Sequence, residues 1–353
     1  MATTDPGNVF VGVARWRKGT ASGVFRRRWD GDAPWEHLTH GLPEAANVQA
    51  ITVHPGDPAV VFAGTQDGPY RSTDGGRSWE RTGFPDRGMQ VWSILVHPER
   101  PRTVFAGTSP IALYRSDDGG DNWRRLPDPQ VPERVKMQFA CRVMRLAVDP
   151  QRPDELYAVQ EVNGVMRSRD AGETWQDCSA DLIKMADENP KLKSAIGTKD
   201  EREGMLDGHA LTVSAADPGA VFVAVRMGLF RSPDRGESWA DLEVGRFSPL
   251  RYGRDVRVSP HDPRVLYACL SEAAVSEAGA LYRSTDVGRS WARFDKVAAH
   301  GTMMGVALHP RDPAQVFAAA RYGQVFGTLD GGRTWSEHTL PEGCLDVYAI
   351  ACA

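Results

Sequence analysis

Ser72-Thr73-Asp74-Gly75-Gly76-Arg77-Ser78-Trp79 decides the reading of this 353-residue chain, because the same string returns along its whole length. Further copies centre on Asp118, Asp170, Asp234, Asp286 and Asp330, each written Ser/Thr-x-Asp-x-Gly-x-Ser/Thr/Asn and each closed by a tryptophan: Trp123, Trp175, Trp239, Trp291 or Trp335. A seventh, Arg28-Trp29-Asp30-Gly31-Asp32-Ala33-Pro34-Trp35, keeps the Asp and the Trp but loses the Ser and the second Gly. Successive closing tryptophans lie 44, 44, 52, 64, 52 and 44 residues apart. Such a period belongs to stacked or radial repeats rather than to one irregular core, so the chain reads as one domain over 1–353.

Around each copy the same elements recur. Pro58, Pro101, Pro153, Pro218, Pro263 and Pro313 supply turns before short runs rich in Val and aromatics, such as Val60-Val61-Phe62-Ala63-Gly64 and Val221-Phe222-Val223-Ala224-Val225. Proline is excluded from a central ladder, and such apolar runs make buried strands. One strand precedes each proline turn, one follows it, a third leads into the Asp-containing string and a fourth follows the Trp. Four short antiparallel strands taken seven times predict an all-β, seven-bladed β-propeller. The first repeat lacks an innermost strand, and Leu345-Asp346-Val347-Tyr348-Ala349-Ile350 has no partner in the last one. The C-terminal strand is therefore expected to join the N-terminal blade and close the ring.

On these strings the chain resembles the BNR, or Asp-box, family of β-propellers, the repeat of sialidases, sortilin-type receptors, some xyloglucan-active hydrolases and photosystem II assembly factors. The resemblance implies a hairpin between third and fourth strands whose Asp and Ser bind turn backbone while the Trp packs beneath. The physical chemistry of the residues says the same: short polar side chains satisfy turn N–H groups, glycine takes positive φ, and tryptophan buries a large face. The string is thus a structural device, and so are His54, His97 and His309, which recur with the proline turn.

Function is expected on the opposite face, where the repeat is broken by insertions. These are the loops 14–22, 127–134 and 270–279 and a partly helical insertion at about 178–206, in which Ser179 or Asp181 would cap a helix reaching Ala186 and Pro190 would start a second. Arginine suits carboxylate or phosphate, which makes Arg142, Arg254 and Arg321 candidates for anion contact, with Gln138 and Arg226 as further ligand-binding residues. Glu161 with Asp207 or Glu272 would be the carboxylates of a glycosidase-like hydrolase. A sialidase-like reaction, as the resemblance implies, would instead use a tyrosine, for which Tyr252 and Tyr322 are placed. No Arg-Ile-Pro segment is present to support it. His209 and His300, with His40, are the candidates for a divalent metal.

The net charge of -4 gives no global electrostatic reason for nucleic acid. No run approaches the ~20 apolar residues of a membrane span. The first residues lack the basic start and apolar run of a secretory signal, so the expected location is cytoplasmic. Five cysteines without C-x-x-C spacing read as reduced thiols. The expected ligand is an anionic or carbohydrate-like small molecule or a partner protein; an assembly or scaffold role is the third reading.

Overall fold

A computed structural model describes residues 7–16, 19–128 and 137–353. Residues 129–134 of the loop expected at 127–134 lie outside the described residues, as does the turn expected at Asp5-Pro6. Seven four-stranded antiparallel sheets form the blades of a β-propeller. Blade 2 shows the plan: Val48–His54 innermost, then Asp57–Thr65, Gly68–Ser72 and the two-residue outer strand Glu80–Arg81. The middle strands read as continuous apolar runs because both faces of each blade pack on neighbours; in Ala220–Val225 all six residues are buried. The outermost strands are short and charged, which blunts the one edge each blade leaves exposed.

The ring closes as the sequence predicts. Val347–Cys352 is the innermost strand of blade 1, with Val11 opposite Ile350, and Asn8 and Ala353 exchange backbone hydrogen bonds at 2.8 and 3.0 Å. Each innermost strand packs against the next all the way round, with the C-terminal strand between those of blades 7 and 2.

The recurrent string is a hairpin with one hydrogen-bond set. Ser72 Oγ accepts from Gly76 N at 2.7 Å, and Asp74 accepts from Ser78 N and Ser78 Oγ at 2.9 and 2.6 Å. The sets at Asp118, Asp170, Asp234, Asp286 and Asp330 are equivalent. The residue after each Asp has positive φ, a glycine in three copies but Ala171, Arg235 and Val287 in the others. Hairpins also latch neighbouring blades: Arg26, Arg71 and Arg167 of one blade donate to Gly75, Gly119 and Arg235 carbonyls of the next at 2.5, 2.9 and 2.7 Å. In the degenerate first copy Asp30 instead pairs with Arg28 at 2.7 Å.

Between blades 4 and 5 lie the helix Ala180–Glu188, the 3-10 turn Pro190–Leu192 and the short helix Glu203–Leu206. Neither expected side chain caps the first helix. The Ser179 hydroxyl accepts from Val165 N at 2.9 Å, and Asp181 accepts from Trp239 N at 2.6 Å, so both tie the insertion to the blades instead. Asn189 caps the 3-10 turn through Lys191 N. All five cysteines are free. No helix among the described residues is long and apolar enough to cross a membrane.

Candidate functional site

Every innermost strand carries one residue that its partner strand does not pair. The register skips Gln49, Trp92, Met144, His209, Arg254 and Met304 in blades 2 to 7, and Tyr348 in blade 1. A bulge of this kind re-aims a side chain and ends regular pairing, and bulges collect next to binding sites. All seven residues line one axial cavity of about 620 Å³, its solvent-open mouth included, on the insertion-bearing face. The backbone geometry of the ring is repeated seven times, but its chemistry is not.

One wall is aromatic. Trp92 and Tyr348 meet edge to face at 5.5 Å, and exposed Trp16 stacks on Trp92 at 6.4 Å and meets Tyr348 at 6.2 Å. Arg142 lies 4.0 Å above the Trp92 ring, a cation–π contact, and its Nε is 2.7 Å from Glu161. In the same cavity, the Arg254 guanidinium makes no hydrogen bond or ion pair with any described residue. Gln49 is buried, yet both polar atoms of its amide lack partners among the described residues.

The polar wall is a network. His209 Nδ1 lies 2.6 Å from the Gly253 carbonyl, which can only accept, so Nδ1 carries a proton; Nε2 faces the Tyr252 hydroxyl at 2.9 Å. Asp207 sits 3.4 Å from the same Nε2 and takes a 3.0 Å hydrogen bond from Arg226 Nε. Burial alone would raise the Asp207 carboxyl, but His209 and Arg226 outweigh it and hold it below the usual range. Glu161 goes the other way: burial pushes its carboxyl up to about 7 against the pull of Arg142, and Asp207 adds to the rise. Tyr252 is pushed up to about 12 by burial. The two carboxyls therefore sit in one electrostatic environment with opposed proton affinities.

The remaining candidates lie elsewhere or are already engaged. Glu272 is exposed on the rim, beside Arg226 and Arg251 in a separate surface depression. Arg321 donates to the Ala274 carbonyl at 3.0 Å and pairs with buried Asp346 at 3.2 Å, so its guanidinium ties the blade 6 loop to the strand that closes the ring. Gln138 is exposed. His300 is exposed too, with its backbone N–H held by Gln324, whereas His209 is buried with both ring nitrogens occupied. Among the described residues no group of three or more His, Cys, Asp or Glu is arranged to hold a metal ion.

Sequence reasoning missed Asp255, a fully buried carboxylate at the waist of the channel, 3.4 Å from Arg145 and 3.3 Å from Arg257, accepting from Val306 N at 3.1 Å. It also missed the ring as a set, although a signal existed. Each bulged residue of blades 2 to 7 stands five positions before a turn-capping side chain: His54, His97, Asp149, Ser214, Ser259 or His309. Each of these accepts turn N–H groups, as His54 Nδ1 does from Gly56 and Asp57 at 3.2 and 3.0 Å.

Comparison with known proteins agrees with this fold. The family described as sortilin, neurotensin receptor 3, matches residues 67–210. A xyloglucanase of Paenibacillus sp is 27% identical over 192 residues, which are 50% of this chain but 16% of that protein, so the chain spans a small part of that relative's length. The GH74 xyloglucanase structure from Xanthomonas campestris superposes with a TM-score of 0.62 at 19% identity, covering 82% of this chain and 45% of that one. The structure of YCF48 bound to D1 peptide gives 0.52 at 16% identity, covering 83% and 81%. Repeat and blade count make this chain a seven-bladed β-propeller, one that is similar over residues 67–210 to the sortilin family of BNR-type propellers.

Proposed function

We propose that this propeller is a binding module that takes an anionic or polyhydroxyl ligand, either a carbohydrate or a segment of a partner protein, across the ring of bulged residues. The observation that carries the reading is the Arg254 guanidinium, without a hydrogen bond or ion pair among the described residues, in one cavity with the aromatic wall of Trp16, Trp92 and Tyr348. Aromatic faces take up sugar rings or apolar side chains, and a free planar fork selects a carboxylate or other oxyanion. Xyloglucan is the substrate named for one set of relatives and a peptide is the ligand of another, and both classes suit such a wall. Titration of tryptophan fluorescence with xylogluco-oligosaccharides, and probing of a peptide array, tests the reading. Binding in either format that is lost in both Trp92→Ala and Arg254→Gln supports it; binding retained by both variants overturns it.

A second reading, a glycosidase-like hydrolase, is favoured by Glu161 and Asp207. Glu161 would supply a proton near neutral pH while Asp207 stays ionised, the division of labour that two-carboxylate hydrolysis needs. Glu272, exposed on the rim, takes no part in this version. Release of reducing ends from xyloglucan that disappears in Glu161→Gln would favour it over binding alone.

A further inference from the structure

The channel has a second end. On the hairpin-bearing face it opens into a cup of about 1080 Å³, solvent-open rim included, which joins the upper cavity at Arg145 and Arg257. Seventeen of the 21 residues lining the cup are apolar, and the four that are not are Thr52, His54, Arg145 and Arg257. Half-buried Val53, Leu95, Val258 and Leu308 on its wall leave apolar surface facing the opening. The turn residues Pro55, Pro98, Pro260 and Pro310 form its lip.

The floor of this apolar cup is cationic. Arg145 and Arg257 share one carboxylate, Asp255, at 3.4 and 3.3 Å, so two guanidiniums face one anion. Asp255 is 1% exposed and also accepts from Val256 N and Val306 N. Arg145 and Arg257 remain 27% and 35% exposed. One positive charge is thus left over at the bottom of a cup with low-dielectric walls, a setting in which a fixed charge acts strongly on a counter-ion.

We propose that this cup binds a singly charged anionic amphiphile, a medium-chain carboxylate, with its head at Arg145 and Arg257 and its tail along the apolar wall toward the proline lip. Arg257 to Pro260 can span at most about 10 Å even if fully extended, which suits a medium rather than a long chain. Charge selects the head, and the apolar wall selects the tail. The head group would sit at the waist that the two cavities share, while none of the seven bulged residues lines the cup, and neither reading depends on the other.

Isothermal titration calorimetry of the full chain with octanoate, acetate and octanol tests the proposal. Octanoate is expected to bind at least tenfold more tightly than either acetate, which lacks the tail, or octanol, which lacks the charge. Arg257→Gln should weaken octanoate at least fivefold and leave octanol unchanged, with a melting curve recorded on the unliganded variant as the control for folding. Trp92→Ala, at the other mouth, should leave octanoate binding intact. No octanoate binding, equal binding of octanoate and acetate, equal binding of octanoate and octanol, or loss of octanoate in Trp92→Ala would each overturn the assignment.

Discussion

The two ends of the blades repeat in different ways. At the hairpin end, six of seven copies preserve both geometry and chemistry: the same Ser/Thr and Asp make the same hydrogen bonds, and the same Trp closes the turn. At the bulge end the geometry recurs in all seven blades, but the side chains are Gln49, Trp92, Met144, His209, Arg254, Met304 and Tyr348. Side chains that repeat with their geometry serve the fold. Diverse side chains delivered to one cavity by a repeated geometry are what a site requires.

The largest effect that could break this contrast is loss of closure. Removing residues 345–353 takes away the innermost strand of blade 1 together with the Asp346 partner of Arg321, and the chain should lose its cooperative thermal transition or associate through the exposed edge of Asn8–Val13. A monomer with an unchanged melting curve would contradict ring closure. Trp239→Ala comes next: this buried ring donates to the Cys178 carbonyl at 2.8 Å, and its backbone is held by Asp181. Chemical denaturation should show a loss of about 3–5 kcal/mol, as for other large buried aromatics, without a selective change in binding.

A pH series on the polar wall separates the two carboxyl types. Glu161 titrates near 7 rather than at its ordinary 4.5, so the folded chain holds this proton where the unfolded chain has released it. Its contribution is full below pH 4.5 and is lost as pH rises to about 7. Glu161→Gln should flatten the decline in stability between those pH values, by at most about 3 kcal/mol at neutral pH. Asp74 and Asp118 run oppositely, since hydrogen bonds from Ser78 and Asn122 hold both at about 2, and what they contribute is lost only as pH falls below the ordinary carboxylate range. The smallest effect lies at Val287, a β-branched residue with φ of 61° where three of the other hairpins place glycine. Val287→Gly should stabilise by about 1 kcal/mol, because relief of the left-handed strain exceeds the backbone entropy lost. A lower melting temperature would show that its side-chain packing matters more.

Blade number, strand order and closure were legible in the sequence because the hairpin is local: Ser72, Asp74, Gly76 and Ser78 satisfy one another within seven residues of the chain. The site was legible only in pieces. Glu161, Asp207, His209 and Arg254 stand out as charged or ligating residues near strand starts, and the structure puts His209 and Arg254 in the wall of one cavity, with Glu161 within electrostatic reach of Asp207 and Arg254. Arg321 looked the same in sequence but is spent on Asp346 and Ala274, partners that only closure of the ring brings near. A bulge is a property of two paired strands, so Met144 does not announce itself until the register is known. Buried Asp255 is hidden for a related reason, because its partners Arg145 and Val306 belong to other blades.

The contrast between the two ends is tested most directly by measuring stability and ligand binding side by side in one variant from each. Ser116→Ala removes the acceptor for Gly120 N in a hairpin, and Arg254→Gln alters the ring. The prediction is a loss of about 1 kcal/mol in denaturation with unchanged ligand affinity for Ser116→Ala, and loss of binding with an unchanged denaturation curve for Arg254→Gln. The reverse pattern, with binding lost through the hairpin and stability lost through the ring, would contradict the account.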